Sequence, residues 1–228
     1  ASDVYKRQLP KVQKKEVGFY DLDTAVAFVR ALDTITEDFY NYKVGLLLAM
    51  MCGLRRGEIC GILHEDVDYE NSLIHVNQSV FVQTGGQRII KDLKSYSSHR
   101  VVSVPDSLME EIVKLNEINE RRKEKMGSLW VGSPSLIKSA YGDYMYPNVL
   151  WKWLNGFLKK NDLPHISVHG LRHTYASMLV DLNLDVKTIS SQLGHADVGV
   201  TNRYIHQFQN KSNEIANQID SMLKKDTE

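Results

Sequence analysis

Between about Ser72 and Pro105 this 228-residue chain changes character, from helical periodicity to short β-branched runs, and then changes back. "SLIHVNQSVFV", "QRIIKD" and "HRVVSVP" alternate and are rich in valine and isoleucine, with "TGG" between the first two and "KSYSS" before the third. Runs so short, joined so closely, pair antiparallel. The pattern therefore predicts an α+β protein, mainly helical, with a small three-stranded antiparallel sheet on one side.

The flanks are helical. Ahead of the sheet, "DLDTAVAFVRALDTI" opens on an acidic cap and places Ala25, Phe28, Val29 and Leu32 at helical spacing. "YNYKVGLLLAMMCG" is apolar on most sides and reads as a buried helix, and "LRRGEICGIL" restarts a helix just after Gly53. After the sheet, "DSLMEEIVKLNEINERRKEKMG" begins at Asp106 or Ser107, with Glu110 spaced for a capping box. "LWVG" reads as a buried extended piece. "YPNVLWKWLNGFLKKND" sets Trp151, Leu154 and Leu158 on one stripe, and "NKSNEIANQIDSMLKK" ends the chain with Ile215, Ile219 and Leu223 in register.

Composition bounds the function. An apolar share of 43% fills a real core, and no run is long enough to span a bilayer. The N-terminus "ASDVYKRQLPKVQKKE" is charged and lacks the apolar heart of a secretory signal. Cys52 and Cys60 share one apolar segment, as buried free thiols do, and a reducing cytoplasm is the expected setting. Twenty-eight basic and 28 acidic residues cancel, so bulk charge gives no sign of nucleic-acid binding. Local clusters point the other way: Lys6, Arg7, Lys11, Lys14 and Lys15 lead the chain, and Arg88, Lys91, Lys94 and Arg100 crowd the sheet.

The stretch from His169 to His206 holds four histidines, two arginines and two tyrosines. His169 and His173, four apart, have the spacing of half a zinc site, but Arg172 lies between them and no cysteine pair is near. Arg55, Arg172, His169, His195 and Tyr204 instead suit one phosphate. An arginine's planar fork donates two hydrogen bonds to two phosphate oxygens and keeps its proton.

In this order the residues resemble the catalytic domain of the tyrosine recombinases, the phage integrase family, and most of all the integrases of conjugative transposons. "GLRRGE" supplies Arg55, "LKSYSSHR" Lys94, "HGLRH" His169 and Arg172, "LGH" His195 and "NRYIH" Tyr204. The resemblance implies a site-specific DNA recombinase. Tyr204 attacks a phosphodiester to form a 3′-phosphotyrosyl link, Arg55 and Arg172 neutralise the phosphate, His169 is the base, Lys94 protonates the leaving oxygen and His195 hydrogen-bonds the phosphate. Glu58 is the supporting acid. Lys91 rivals Lys94, while Arg56, Lys91, Arg100, His173 and Arg203 are expected to face DNA. Tyr175 rivals Tyr204 on composition alone, but its mid-helix place suits a core.

No metal or cofactor is implied. The implied partner is double-stranded DNA with recombination sites, bound by a homo-oligomer, a tetramer in synapsis, and no membrane takes part. Residues 1–20 read as a basic leader, and 21–228 as the catalytic domain with a tail helix over about 209–224, whose apolar stripe suits docking on a neighbouring protomer or packing on its own domain. The family's DNA-grasping core-binding domain has no counterpart in these residues. Two other readings are a type IB topoisomerase-like relaxing enzyme and a catalytically idle DNA-binding regulator. The filled catalytic positions oppose the second.

Overall fold

Helix α2 (Tyr40–Met51) is the hub of the fold, with ten of its twelve residues buried. A computed structural model describes residues 18–93, 99–182 and 184–194, and among these are seven α-helices and five strands. No helix among the described residues is long and apolar enough to cross a membrane.

Local chemistry explains the helix starts. Helix α1 (Leu22–Leu32) is capped by Asp21, whose carboxylate accepts the Thr24 N–H at 2.8 Å, and it buries Ala25, Phe28 and Leu32. The short α3 (Arg56–Ile59) follows the "GLR" turn, in which Gly53 takes φ +65°. Helix α4 (Asp106–Met126) turns Leu108, Ile112 and Leu115 inward, and α5 (Pro147–Lys160) does so with Leu150, Leu154 and Leu158. Helix α6 (Val168–Asp181) starts at Ser167, whose hydroxyl accepts the Gly170 N–H at 2.9 Å. Helix α7 (Val186–Leu193) starts at Asp185 and ends in Gly194, at φ +61°.

The chain from Val67 to Ser103 forms two sheets. Strands β1 (Val67–Asp68), β2 (Leu73–Val76) and β5 (Arg100–Ser103) make an antiparallel sheet in the order β1-β2-β5. Strands β3 (Gln78–Val82) and β4 (Arg88–Asp92) make a separate hairpin. The expected three-stranded antiparallel sheet is present, but its members differ. Val67–Asp68 joins it and "QRIIKD" does not. The division falls at Asn77, whose side-chain amide donates to Asp66 at 2.7 Å and whose carbonyl accepts the Leu93 N–H at 2.9 Å.

Three local expectations change. Helix α4 follows Pro105 with no side-chain capping bond, because Asp106 is already its first helical residue. "LWVG" is extended but not buried: Val131 is 61% exposed and is held by its N–H to Tyr141 O at 2.9 Å. Trp151 is 43% exposed, because it stands beside the α5 stripe rather than in it. Cys52 and Cys60 are free and buried, and burial pushes both thiols up to about 12.

Candidate active site

The site is built around a turn, a helix end and a buried carboxylate. Arg55 precedes α3 and Glu58 lies within it, so the pair share a face three residues apart. Glu58 is 2% exposed in its side chain, and its Oε1 accepts Arg55 Nη1 at 2.6 Å while its Oε2 accepts the Arg55 backbone N–H at 2.8 Å. Arg100, first residue of β5, meets the same carboxylate with both terminal nitrogens, at 2.8 and 3.2 Å. Burial alone would raise the Glu58 carboxyl, but the hydrogen bond and charge of Arg100, joined by Arg55, hold it at about 2. The carboxylate stays ionised between two cations.

The C-terminal turn of α7 closes against this cluster. Arg55 Nη2 donates to Gly194 O at 3.0 Å, and Arg172, fully buried on α6, donates to Leu193 O and Gly53 O at 2.6 Å each. Two guanidinium groups thus sit at the negative end of one helix, and Arg172 also ties that end to the "GLR" turn. The residue that follows Gly194 in the chain is His195.

Arg55, Arg56 and Glu58 open onto a groove of about 860 Å³, which is also lined by His169, Ser79 and Trp151. His169 stands in the first turn of α6, where unsatisfied backbone N–H groups and the helix dipole favour an anion. His169 and His173 meet ring to ring, 4.3 Å apart at 73°. Among the described residues no group of three or more histidine, cysteine or acidic side chains is arranged to hold a metal ion.

Of the residues expected at the site, Arg55, Glu58, Arg172 and Arg100 converge on the end of α7, and His169 joins Arg55 and Arg56 at the groove. Arg56 is exposed, whereas Arg100 is turned inward, its side chain only 7% exposed. Lys91 is exposed on β4 and pairs in register with Ser79, so their side chains share one face of the hairpin. Lys94, His195, Arg203 and Tyr204 lie outside the described residues, as does the tail over 209–224.

The family model for the phage integrase family matches residues 20–211, which include every element of this site. The chain belongs to the phage integrase family. This integrase-family chain is 28% identical over 179 residues to a XerC-like tyrosine recombinase of Caldanaerobacter subterraneus, a match covering 73% of this chain and 46% of that one. It is 26% identical over 226 residues to the ICEBs1 integrase of Bacillus subtilis, covering 95% and 58% respectively. The chain therefore spans about half the length of these curated relatives. Its fold matches that of the Tn1549 transposon integrase, solved in complex with circular intermediate DNA, with a TM-score of 0.68 at 18% identity over 84% of this chain and 63% of that one.

Sequence reasoning missed Trp151 as a groove residue, and it missed the carbonyls of Gly53, Leu193 and Gly194 as arginine anchors. Trp151 gave a faint signal: it directly follows Leu150, a member of the buried stripe, and so lies about 100° around the helix from it. The carbonyl anchors gave none.

Proposed function

We propose that this integrase-family chain cleaves and rejoins DNA, with Tyr204 as nucleophile, during integration and excision of a mobile element. The observation that carries the reading is the convergence of Arg55 and Arg172 on the end of α7, one residue before His195, with His169 opening on the same groove as Arg55.

In this scheme the groove receives the phosphodiester. The Tyr204 oxygen forms a bond to phosphorus as its proton passes to His169, the bond from phosphorus to the 5′-oxygen breaks, and Lys94 gives that oxygen a proton. Lys91 is the alternative donor. The bond energy stays in a 3′-phosphotyrosyl link, so a 5′-hydroxyl from another strand reverses the step without ATP. Arg55, half-exposed at the groove, binds the phosphate directly, while Arg172 adds its charge from behind the α7 turn and holds the turn in place. His195 donates to the phosphate. Loss of either arginine is expected to cost about 3 kcal/mol or more of transition-state stabilisation. Arg56, Lys91, His173 and Arg203 contact the DNA backbone, and Glu58 orients its basic neighbours. The protein acts in the cytoplasm on double-stranded DNA as a homo-oligomer, with the tail of one protomer docked on the next.

Nicked suicide duplexes carrying candidate sites, incubated in EDTA and resolved on a denaturing gel, test this reading. Wild type is expected to give a covalent adduct that Tyr204→Phe lacks. An adduct that persists in Tyr204→Phe, or cleavage that EDTA abolishes, overturns it.

A further inference from the structure

Glu58 presents a problem of charge. Its carboxylate, 2% exposed, lies three residues from the half-exposed Arg55 and accepts Arg55 Nη1 at 2.6 Å, a pairing that offsets the charge on which the phosphate depends. Arg100 changes the balance. Its guanidinium is 7% exposed in the side chain, against 39% for Arg55, and it meets Glu58 with both terminal nitrogens. Two cations share one anion, so the cluster keeps a net positive charge. Both meet the carboxylate, Arg100 from the buried side and Arg55 from the side that lines the groove.

Building on the assignment of Arg55 to the phosphate, the geometry points to Arg100 as a positioning residue: it neutralises Glu58 so that Arg55 keeps its charge and its reach for DNA. The placement fits no direct DNA role for Arg100. Its guanidinium lies against Gly194 as well as Glu58, and a Cβ on Gly194 would come within 2.9 Å of Nη1. Without Arg100, Glu58 has Arg55 as its only cation among the described residues and draws it inward. Glu58 is harmless to the site only while Arg100 is there.

The test is a rescue. Single-turnover adduct formation on a nicked duplex is measured with the 228-residue chain in wild type, Arg100→Gln, Arg100→Lys and the double variant Glu58→Gln/Arg100→Gln. Arg100→Gln is expected to slow adduct formation about 100-fold at saturating DNA with little change in DNA affinity. Arg100→Lys, which keeps the charge but not the fork, is expected to lose about tenfold. The double variant is expected to recover at least tenfold over Arg100→Gln, because removing the carboxylate removes the need for its counter-ion. A loss of stability alone lowers the amount of folded protein and hence the amplitude, not the single-turnover rate constant at saturating DNA, so the recovery is read in the rate constant. A double variant no faster than Arg100→Gln, or Arg100→Lys as slow as Arg100→Gln, overturns the inference.

A second measurement needs no DNA. Urea denaturation of Arg55→Gln, Glu58→Gln and their combination gives the coupling between residues 55 and 58. In the Arg100→Lys background, where the fork's second bond is lost, that coupling is expected to grow at least fivefold as a ratio of folding constants, and an unchanged coupling overturns the inference. If wild type forms no adduct, the recombinase reading fails while this arm still decides the part played by Arg100.

Discussion

Arg55 and Arg172 donate to consecutive carbonyls of one helix end, Arg55 to Gly194 O at 3.0 Å and Arg172 to Leu193 O at 2.6 Å. Arg55 comes from the turn before α3 and Arg172 from α6, so the last turn of α7 is the point at which three parts of the chain are brought into register. The residue after that turn is His195, so the two arginines proposed to bind the phosphate also hold the helix end that precedes it.

The turn itself is sensitive to a single methyl group. Gly194 takes φ +61°, and a Cβ there meets Arg100, so Gly194→Ala is expected to cost about 1–2 kcal/mol of stability from the left-handed backbone and to slow cleavage as well. Gly53 is stricter: φ is +65° and an added Cβ falls 2.4 Å from the Tyr175 ring, so Gly53→Ala should lose about 3 kcal/mol. Urea denaturation of both variants checks the order. Equal, negligible losses would contradict the packing described.

Glu58 sets an acid limit. Its folded-state value of about 2 lies below the ordinary 4.5, so its contribution is complete above pH 4.5 and is lost as pH falls from there toward 2. The shift is equivalent to roughly 3 kcal/mol at neutral pH. The stability gap between wild type and Glu58→Gln, followed by denaturation from pH 7 to pH 2.5, is expected to shrink across that window.

Lys138 sets a slope of the same sign in the alkaline range. It is buried, it donates to Ser133 O and Ser135 O at 2.5 Å each, and desolvation lowers its amine from 10.5 to about 8. Between pH 8 and 10.5 the unfolded chain holds the extra proton, so stability should rise with pH there, and the neutral amine still offers its N–H groups to both carbonyls. Lys138→Met is expected to be less stable and to lack the rise. A flat wild-type profile relative to the variant would count against the buried, charged lysine.

Trp151 is placed for contact rather than for packing. Exposed by 43% at the groove, it should be replaceable by alanine within about 0.5 kcal/mol of stability. On the proposed reading of the groove, DNA affinity, read by fluorescence anisotropy, is expected to fall, because the groove loses an exposed aromatic wall.

Tyr175 is set against Gly53 and Leu193, and burial raises its hydroxyl above the ordinary value for tyrosine. It is therefore a poor nucleophile. Tyr175→Phe should form the covalent adduct at the wild-type rate, whereas Tyr204→Phe forms none.

The order of the described helices and the boxes that carry the family resemblance were legible in the sequence, because both are written in short-range pattern. Ala25, Phe28 and Leu32 define one helix stripe, an acidic residue opens that helix, and the "GLRRGE" and "HGLRH" boxes carry the family resemblance. What periodicity cannot say is which neighbour covers a given face. Trp151 continues an apolar run along α5, yet only tertiary packing leaves it at an open groove. Sequence groups Arg100 with Lys91 as a cation facing DNA, and only the fold carries it to a carboxylate 42 residues away. Likewise, "SLIHVNQSVFV" has the composition of one strand, and the bonds of Asn77 divide it between two sheets. The sequence by itself determined which chemistries the chain carries and the helices and strands that bear them. Tertiary structure alone decided which charges share a partner and which side chains meet solvent, because a buried ion pair and a covered face are made by residues far apart in the chain.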